Sequence, residues 1–275
     1  MIEIRSFYRK NCDAITKVVV GYTKYPCYLI KHLYDMEATY SSYDYTKSLE
    51  RISEIVAGSD SCYEDHKGIP SRDKLTFLNG YYVDVTVLFI DIRGSKSLSE
   101  KHTHPVMAKI YRAYISEVVA VLKNNTTVNE IYIEGDGVWA VFNTNFQSEV
   151  DSVFEAAAQL SSLVDIINIK LSKKGYSTIV VGIGMDYGKS LYIKAGYKGS
   201  CINEVVWIGK VVGSAANLSS NGNKIWTDKE LMVSEVLYCN LKEEYKAFLE
   251  WNQYRQCYHG NVINIMMNDW VIKNA

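Results

Sequence analysis

From residue 81 onward the apolar positions fall into two alternating periods. The run YYVDVTVLFID (81–91) is β-branched and aromatic and continuous enough for a buried central strand. Pro105 then opens a helix in which Val106, Ile110, Tyr114, Val118 and Leu122 recur every four residues. Segments 127–134 and 138–143 read as strands on either side of Gly135-Asp136-Gly137, the pattern of a β-hairpin. A long helix over 148–172 carries Val150, Phe154, Ala157, Leu160, Val164, Ile167 and Leu171 on one stripe. Strands over 177–185 and 188–195 flank a predicted turn at Asp186–Gly188, and a helix of small residues follows at about 209–220. The tail reads as a short strand NKIWT (223–227), an amphipathic stretch at 228–250 and a hairpin turning near His259-Gly260-Asn261.

The order β-α-β-β-α-β is the ferredoxin-like plan. It predicts an α/β (α+β) sandwich with helices on one face of a mainly antiparallel sheet. Residues 1–80 have a different texture, rich in Tyr and Ser, with a loop-like patch at 57–73. In YTKSLERISEIVAG, Leu49, Ile52 and Ile55/Val56 recur at spacings of three and four, which predicts an amphipathic helix ending near Gly58. The expected organisation is therefore an N-terminal helical extension over 1–80 and one domain over 81–275.

Composition narrows the function. Of the 275 residues 48% are apolar and 22% charged, enough to build a core and too apolar for wholesale disorder. A net charge of −1 lacks the basic excess of a duplex nucleic-acid binder, so no nucleic-acid partner is expected. Cys12, Cys27, Cys62, Cys201, Cys239 and Cys257 show no two- to four-residue spacing, which excludes a zinc knuckle and a CxxC redox pair. Neither a signal-peptide core nor an apolar run of about 20 residues is present, so a cytoplasmic protein with no membrane partner is expected. The 22 tyrosines are the one compositional excess.

Two acids stand out. Asp91 closes the most hydrophobic strand and opens the loop Ile92-Arg93-Gly94-Ser95-Lys96-Ser97; Asp136 sits in the turn of the following hairpin. In a β-α-β-β plan the first strand and this hairpin are neighbours, so both carboxylates converge at one rim. Converging acids with no His or Cys beside them suit hard divalent cations, Mg²⁺ or Mn²⁺, which keep positions for phosphate oxygens. Two such ions can clamp an in-line phosphoryl transfer. The 92–97 segment offers backbone N–H groups ahead of a helix as a phosphate cradle. Asp-Gly is also ordinary hairpin-turn chemistry, and spacing alone leaves that alternative open.

VTVLFIDIRGSKSLSE (85–100) closely resembles the first metal-binding segment of the class III nucleotidyl cyclases, and IYIEGDGVWAVF (131–142) resembles their second. VVGIGMDYGKSLYIKAG (180–196) is similar to their glycine-punctuated strand pair, and VWIGKVVGSAANLSS (206–220) resembles the segment that carries their transition-state residues. The four matches keep the family's order and spacing over roughly residues 83–235. The resemblance implies that Asp91 and Asp136 bind two Mn²⁺ or Mg²⁺ ions per site and that Ile92 assists through its carbonyl; from the loop's own composition Arg93, Gly94, Ser95 and Lys96 are expected to hold the substrate phosphates. It also implies a cyclic 3′,5′-nucleotide and pyrophosphate made from a nucleoside triphosphate, in a homodimer with sites at the subunit interface.

In this family a Lys or Glu four residues before the second metal acid reads a purine, and that position here is Tyr132. A second reader position falls on Val206. The pattern resembles the bacterial Pycsar-type pyrimidine cyclases, which implies UTP or CTP as substrate, cUMP or cCMP as product, a separate cyclic-nucleotide-responsive effector and a role in antiphage defence. Two departures stand beside it: the transition-state Asn and Arg positions are occupied by Gly213 and Asn217. Asn217 could still place the ribose, and Lys210 could join Arg93 and Lys96 in neutralising phosphate charge. The rival readings are a purine cyclase with an unusual base pocket and a degenerate cyclase-like module that binds a nucleotide without converting it. Gly188-Lys189-Ser190 lacks the leading glycine of a Walker A loop, and His102-Thr103-His104 has no third ligand.

Overall fold

A computed structural model describes residues 38, 40–200 and 202–275. The chain divides into two compact units, residues 1–45 with 196–204 and residues 46–195 with 205–275. Residues 1–37 of the expected extension, with Cys12 and Cys27, and also Cys201, lie outside the described residues. In the first unit, the described part includes a turn in which Ser200 N donates to Tyr197 O at 3.1 Å.

In chain order the elements are α1 (Tyr45–Val56), β1 (Tyr63–Asp65), β2 (Gly80–Ile92), α2 (Ser95–Lys101), α3 (His104–Asn124), β3 (Val128–Glu134), β4 (Gly137–Asn143) and α4 (Gln147–Ser172). There follow β5 (Val181–Gly196), β6 (Asn203–Ile208), α5 (Lys210–Asn221), β7 (Leu231–Val233), α6 (Glu235–Cys239), α7 (Glu243–Lys246), β8 (Glu250–Asn252), β9 (Cys257–Gly260) and α8 (Ile265–Asn274). The sheet runs β3-β4-β2-β5-β7-β9-β8, with β1 pairing β2 and β6 pairing β5. β2 is central and antiparallel to both β4 and β5, while β1–β2 and β5–β7 are parallel. The mainly antiparallel α+β plan is thus as the hydrophobic pattern predicts.

Alternation along β2 feeds two cores. Leu88, Ile90 and Ile92 face α3 and α4, where Ile110, Tyr114, Val118, Leu122, Phe154 and Leu160 complete one buried cluster. Burying each such side chain contributes roughly 1.5–3 kcal/mol, which fixes β2 against both helices. Val83, Val85 and Val87 face the other way, with Trp139, Val141, Tyr192, Trp207, Val211 and Ala215. Helices therefore cover both faces, not one: α5 brings Val211 and Ala215 onto the face opposite α3 and α4.

Four local expectations are corrected. No turn breaks the chain at Asp186–Gly188; β5 pairs with β2 without interruption from Gly80↔Ile193 to Ile92↔Val181. The glycines do a different job. A Cβ at Gly184 would lie 2.1 Å from Ser219 N, and one at Gly182 would lie 2.3 Å from Ser219 O, so they form the bed on which the α5 backbone lies. NKIWT is a turn, not a strand: Asp228 Oδ2 accepts from Ile225 N at 3.2 Å and Asp228 N donates to Ile225 O at 2.9 Å. The stretch 228–250 breaks into β7 and two short helices. The last hairpin turns at 253–256, where Asn252 Oδ1 accepts from Tyr254 N and Arg255 N, and α8 follows it. The predicted helix near the N-terminus is α1, none of whose residues is buried. Inside the loop-like patch, β1 adds to the start of β2, and Leu75 just beyond the patch is buried with Tyr81 and Val83.

Candidate active site

Asp91 stands one residue before the end of β2, and β4 brings Asp136 beside it. Ile90 pairs with Val138, so the turn holding Asp136 closes next to Asp91. Gly135 takes a φ of 67°, which only glycine adopts readily, and this tightens the turn. Gly137 leaves room for the acid: a Cβ there would come within 3.3 Å of Asp91 Oδ1. Half-burial pushes the Asp91 carboxyl above its ordinary value, the Asp136 charge pushes it further, and Arg93 pulls it back. Asp136 Oδ2 is buried and has no hydrogen-bond partner among the described residues.

Arg93 is turned inward. Its Nη2 donates to Asp91 Oδ2 at 2.7 Å and its Nη1 to the Ser220 carbonyl at 2.8 Å, with the side chain 18% exposed. The guanidinium therefore ties Asp91 to the C-terminal turn of α5 instead of standing open to a phosphate. The backbone joins the clamp, since Arg93 N donates to Val180 O at 2.7 Å. Gly94, at a φ of 66°, turns the chain into α2, which Leu98 anchors in the core. Ser95 meets the Tyr111 hydroxyl, and Lys96 is exposed. The rim thus combines two acids that repel one another, a buried carboxylate oxygen without a protein partner and an adjacent loop of small residues. This donor set suits an oxygen-ligated divalent cation that keeps positions for phosphate. Among the described residues no third His, Cys, Asp or Glu joins the pair.

A family model for the adenylate and guanylate cyclase catalytic domain matches residues 79–264, from β2 through the last hairpin. The chain belongs to this class III family and is a nucleotide cyclase. A uridylate cyclase of Treponema porcinum is 32% identical over 98% of this chain and 92% of its own length. One of Gulbenkiania mobilis is 34% identical over 87% of this chain and the whole of its own. Among solved structures, a class III adenylyl cyclase-like ATP-binding protein from Pseudomonas aeruginosa superposes with a TM-score of 0.62 at 17% identity, covering 82% of this chain and 48% of its own. The guanylyl cyclase Cya2 gives 0.53 at 18% identity, covering 63% and 83%. At such identities these two speak for the fold alone.

The remaining residues singled out in the sequence lie at different distances from the cyclase rim. Tyr132 opposes Trp139 across β3–β4 and Trp139 opposes Phe89 across β4–β2, so three rings form a row. Tyr132 stacks on Trp139 at 4.1 Å and 15°, and Phe89 stacks on Trp139 at 5.0 Å and 4°. The Tyr132 hydroxyl accepts from Trp207 Nε1 at 3.0 Å. By strand alternation Phe89 and Asp91 share a face, so the row leads to the acids. Asn217 lies on the exposed side of α5, near the end that holds Arg93. Lys210 lies at the other end. Its neighbour Gly209 would place a Cβ 3.0 Å from Lys189 O, and Lys189 pairs with Asp84. Asp91 lies seven positions beyond Asp84 in the strand, about 24 Å at roughly 3.4 Å per residue. Lys210 is therefore out of reach of Asp91 in its own chain. His102 is structural: its Nε2 accepts from Ser177 N at 3.1 Å.

Sequence reasoning missed the tie from Arg93 to Ser220 and the contact between Ser95 and Tyr111. Neither leaves a local motif, because Arg93 and Ser220 are 127 positions apart.

Proposed function

We propose that this cyclase acts on a pyrimidine nucleoside triphosphate, UTP ahead of CTP, joining the ribose 3′-oxygen to the α-phosphorus. The products are the 3′,5′-cyclic monophosphate and pyrophosphate. The observation that carries the substrate is the pair of nearly full-length relatives, both uridylate cyclases. Asp91, Asp136 and the Ile92 carbonyl would hold two Mn²⁺ or Mg²⁺ ions per site. Bound there, the ions would offset the triphosphate charge and favour the attacking and leaving oxygens. The chain's own groups supply orientation: Arg93 aims Asp91, the Gly94 turn presents Ser95 and Lys96 to the phosphates, and Tyr132 gives the base a stacking and hydrogen-bonding neighbour.

The distance of Lys210 from its own Asp91 favours a head-to-tail homodimer, in which α5 of one copy serves the site of the other. Among the described residues no helix is long and apolar enough to cross a membrane. We place the enzyme in the cytoplasm, where its product would reach a separate effector in antiphage defence; the resemblance to pyrimidine cyclases of that system supports this extension.

The test is to incubate the purified chain with ATP, GTP, CTP and UTP separately, with Mn²⁺, and identify products by mass spectrometry. The expected result is cyclic UMP in excess of all others. Turnover of ATP or GTP alone would overturn the pyrimidine reading. Asp91→Ala and Asp136→Ala should each abolish turnover, and full activity in either would remove the two-metal assignment.

A further inference from the structure

The loop and helix that follow Asp91 are closed at both ends by one irregular segment, residues 176–180. At the start, Arg93 N donates to Val180 O at 2.7 Å, which carries the β2–β5 pairing one step beyond Ile92↔Val181. The two stretches of chain then part, one into α2 and the other toward α4. They meet again at the far end of α2, where Ser177 N donates to His102 Nε2 at 3.1 Å. The His102 ring also stands edge-on to Tyr176, with 6.1 Å between centroids and 71° between planes.

The segment 176–180 is itself fixed. It belongs to no helix or strand, yet Ile179 is buried in the core. Asn168 on α4 holds it by two bonds: its Oδ1 accepts from Ile179 N at 2.8 Å and its Nδ2 donates to Ile179 O at 2.9 Å. One side chain thus satisfies both backbone groups that a ladder would otherwise have to pair. α2 has far less to hold it. It is seven residues long, its N-cap Gly94 makes no side-chain hydrogen bond, and Leu98 is its one buried residue. A helix this short is marginal without tertiary support. Because a backbone N–H can only donate, His102 Nε2 must be the unprotonated ring nitrogen, and the bond depends on an acceptor at that atom.

We propose that His102 is a positioning residue for the substrate phosphates. Its bond to Ser177 closes the bracket of residues 93–102 on the 176–180 segment and so holds the Gly94–Lys96 loop in place. With both ends tied, α2 cannot swing about Arg93. Without His102 the ties that remain are Arg93 N, the Leu98 side chain and the contact of Ser95 with Tyr111. The inference rests on the reading of the Gly94–Lys96 loop as a phosphate contact.

His102→Ala in the full chain tests it. The KM for UTP is expected to rise about threefold to tenfold, the worth of one net hydrogen bond, and the inhibition constant of inorganic pyrophosphate should rise by the same factor. kcat should stay within about twofold, as for an interaction made equally in the ground and transition states. His102→Gln offers an amide oxygen at similar reach and should bring both constants back toward the parent. A substitution that merely destabilised the fold would not be corrected by an acceptor alone. An unchanged pyrophosphate constant in His102→Ala, or a His102→Gln chain as impaired as His102→Ala, would overturn the proposal. Should His102→Ala fail to fold, hydrogen exchange in the parent decides. Saturating pyrophosphate should slow exchange in peptides covering 94–101 and 176–180 together, and protection confined to 94–101 would overturn the bracket. Ser95→Ala combined with Lys96→Ala separates the two readings. Parent-like pyrophosphate inhibition in that double variant removes the loop as a phosphate contact. Weakened inhibition there, beside a parent-like His102→Ala, removes only the role of His102.

Discussion

Replacing Gly184 with alanine tests whether the glycines of β5 are the seat of α5. A Cβ at this position would lie 2.1 Å from Ser219 N, 2.2 Å from Ala215 O and 2.8 Å from Ser219 Cα. All three are backbone atoms of one helix, so no side-chain rotation relieves the overlap and α5 must lift. Lifting it pulls Val211 and Ala215 away from the core they share with Val85, Val87 and Trp207. Overpacking typically costs about 1–3 kcal/mol, and a clash with backbone alone puts this substitution at the top of that range. At about 2–4 °C per kcal/mol for a domain of this size, a cost of about 3 kcal/mol lowers Tm by about 6–12 °C. Gly213→Ala is the control on the same helix. Nothing lies within 4 Å of a Cβ there, so replacing glycine in an exposed helix interior should gain about 0.5–1 kcal/mol. Near-UV circular dichroism melts of the parent and both variants make the comparison. Cyclase activity measured well below the transition should also fall in Gly184→Ala, because the Ser220 carbonyl moves away from Arg93. A Gly184→Ala melt indistinguishable from the parent would refute the seating of α5 on this strand.

Three other outcomes are expected. Burial and Asp136 hold the Asp91 carboxyl above its unfolded value, so its ionised form costs the metal-free fold stability at neutral pH and costs nothing once both states are protonated. Asp136→Asn should therefore raise the metal-free Tm at neutral pH, with the gain vanishing toward about pH 3; a gain of equal size there would contradict the repulsion between the two acids. Asp228 has the opposite sign: burial raises it, but hydrogen bonds and charge from Arg255 win and hold it below the ordinary carboxylate range. Its contribution is complete above that range and lost as pH falls through the depressed value, and Asp228→Ala should cost about 3–5 kcal/mol in denaturant unfolding by leaving Arg255 unpaired. Tyr132→Phe keeps the ring row but strands Trp207 Nε1, so about 1–3 kcal/mol of stability should disappear; an unchanged unfolding midpoint would argue that water replaces the hydroxyl.

What the sequence revealed followed from periodicity that local backbone geometry enforces. β2, α3, the β3–β4 hairpin and α4 each carry a run of apolar residues at one period, long enough to outweigh end effects, and Asp91 and Asp136 were found because they punctuate those runs. Glycine was the main source of error. Gly188 in VGIGMDYGKS reads as part of a turn at Asp186–Gly188 because glycine permits unusual dihedrals, yet its φ is not positive. At Gly184 the absence of a Cβ matters for a helix passing overhead, which no local window can register. In the tail, Asp228 closes the Ile225–Asp228 turn and pairs with Arg255, so a polar residue's distant partner converted an apparent strand into a turn. α8 was invisible for a different reason: it has no buried residue, so its apolar positions carry no clean stripe.

Arg93 shows where such reading stops for the site itself. A cation in a Gly/Ser loop two residues after a candidate metal-binding acid has the composition of a phosphate ligand. The residue that redirects it contributes only a backbone carbonyl, from Ser220, and a carbonyl is common to every residue type. The acid was therefore legible and the device that aims it was not. Lys210 makes the same point in reverse. Its place in the motif suggests a phosphate contact, but the register from Lys189 to Asp84 puts it at the far end of β2 from Asp91. Motif order records which residues a site uses; it does not record which copy of the chain supplies them. If Lys210 serves catalysis through a second copy, mixing an inactive Asp91→Ala chain with an inactive Lys210→Ala chain should restore activity, because one hybrid site keeps both groups. Mixtures as inactive as either variant would remove the second copy as the source of Lys210, and a Lys210→Ala chain as active as the parent would place Lys210 outside the reaction altogether.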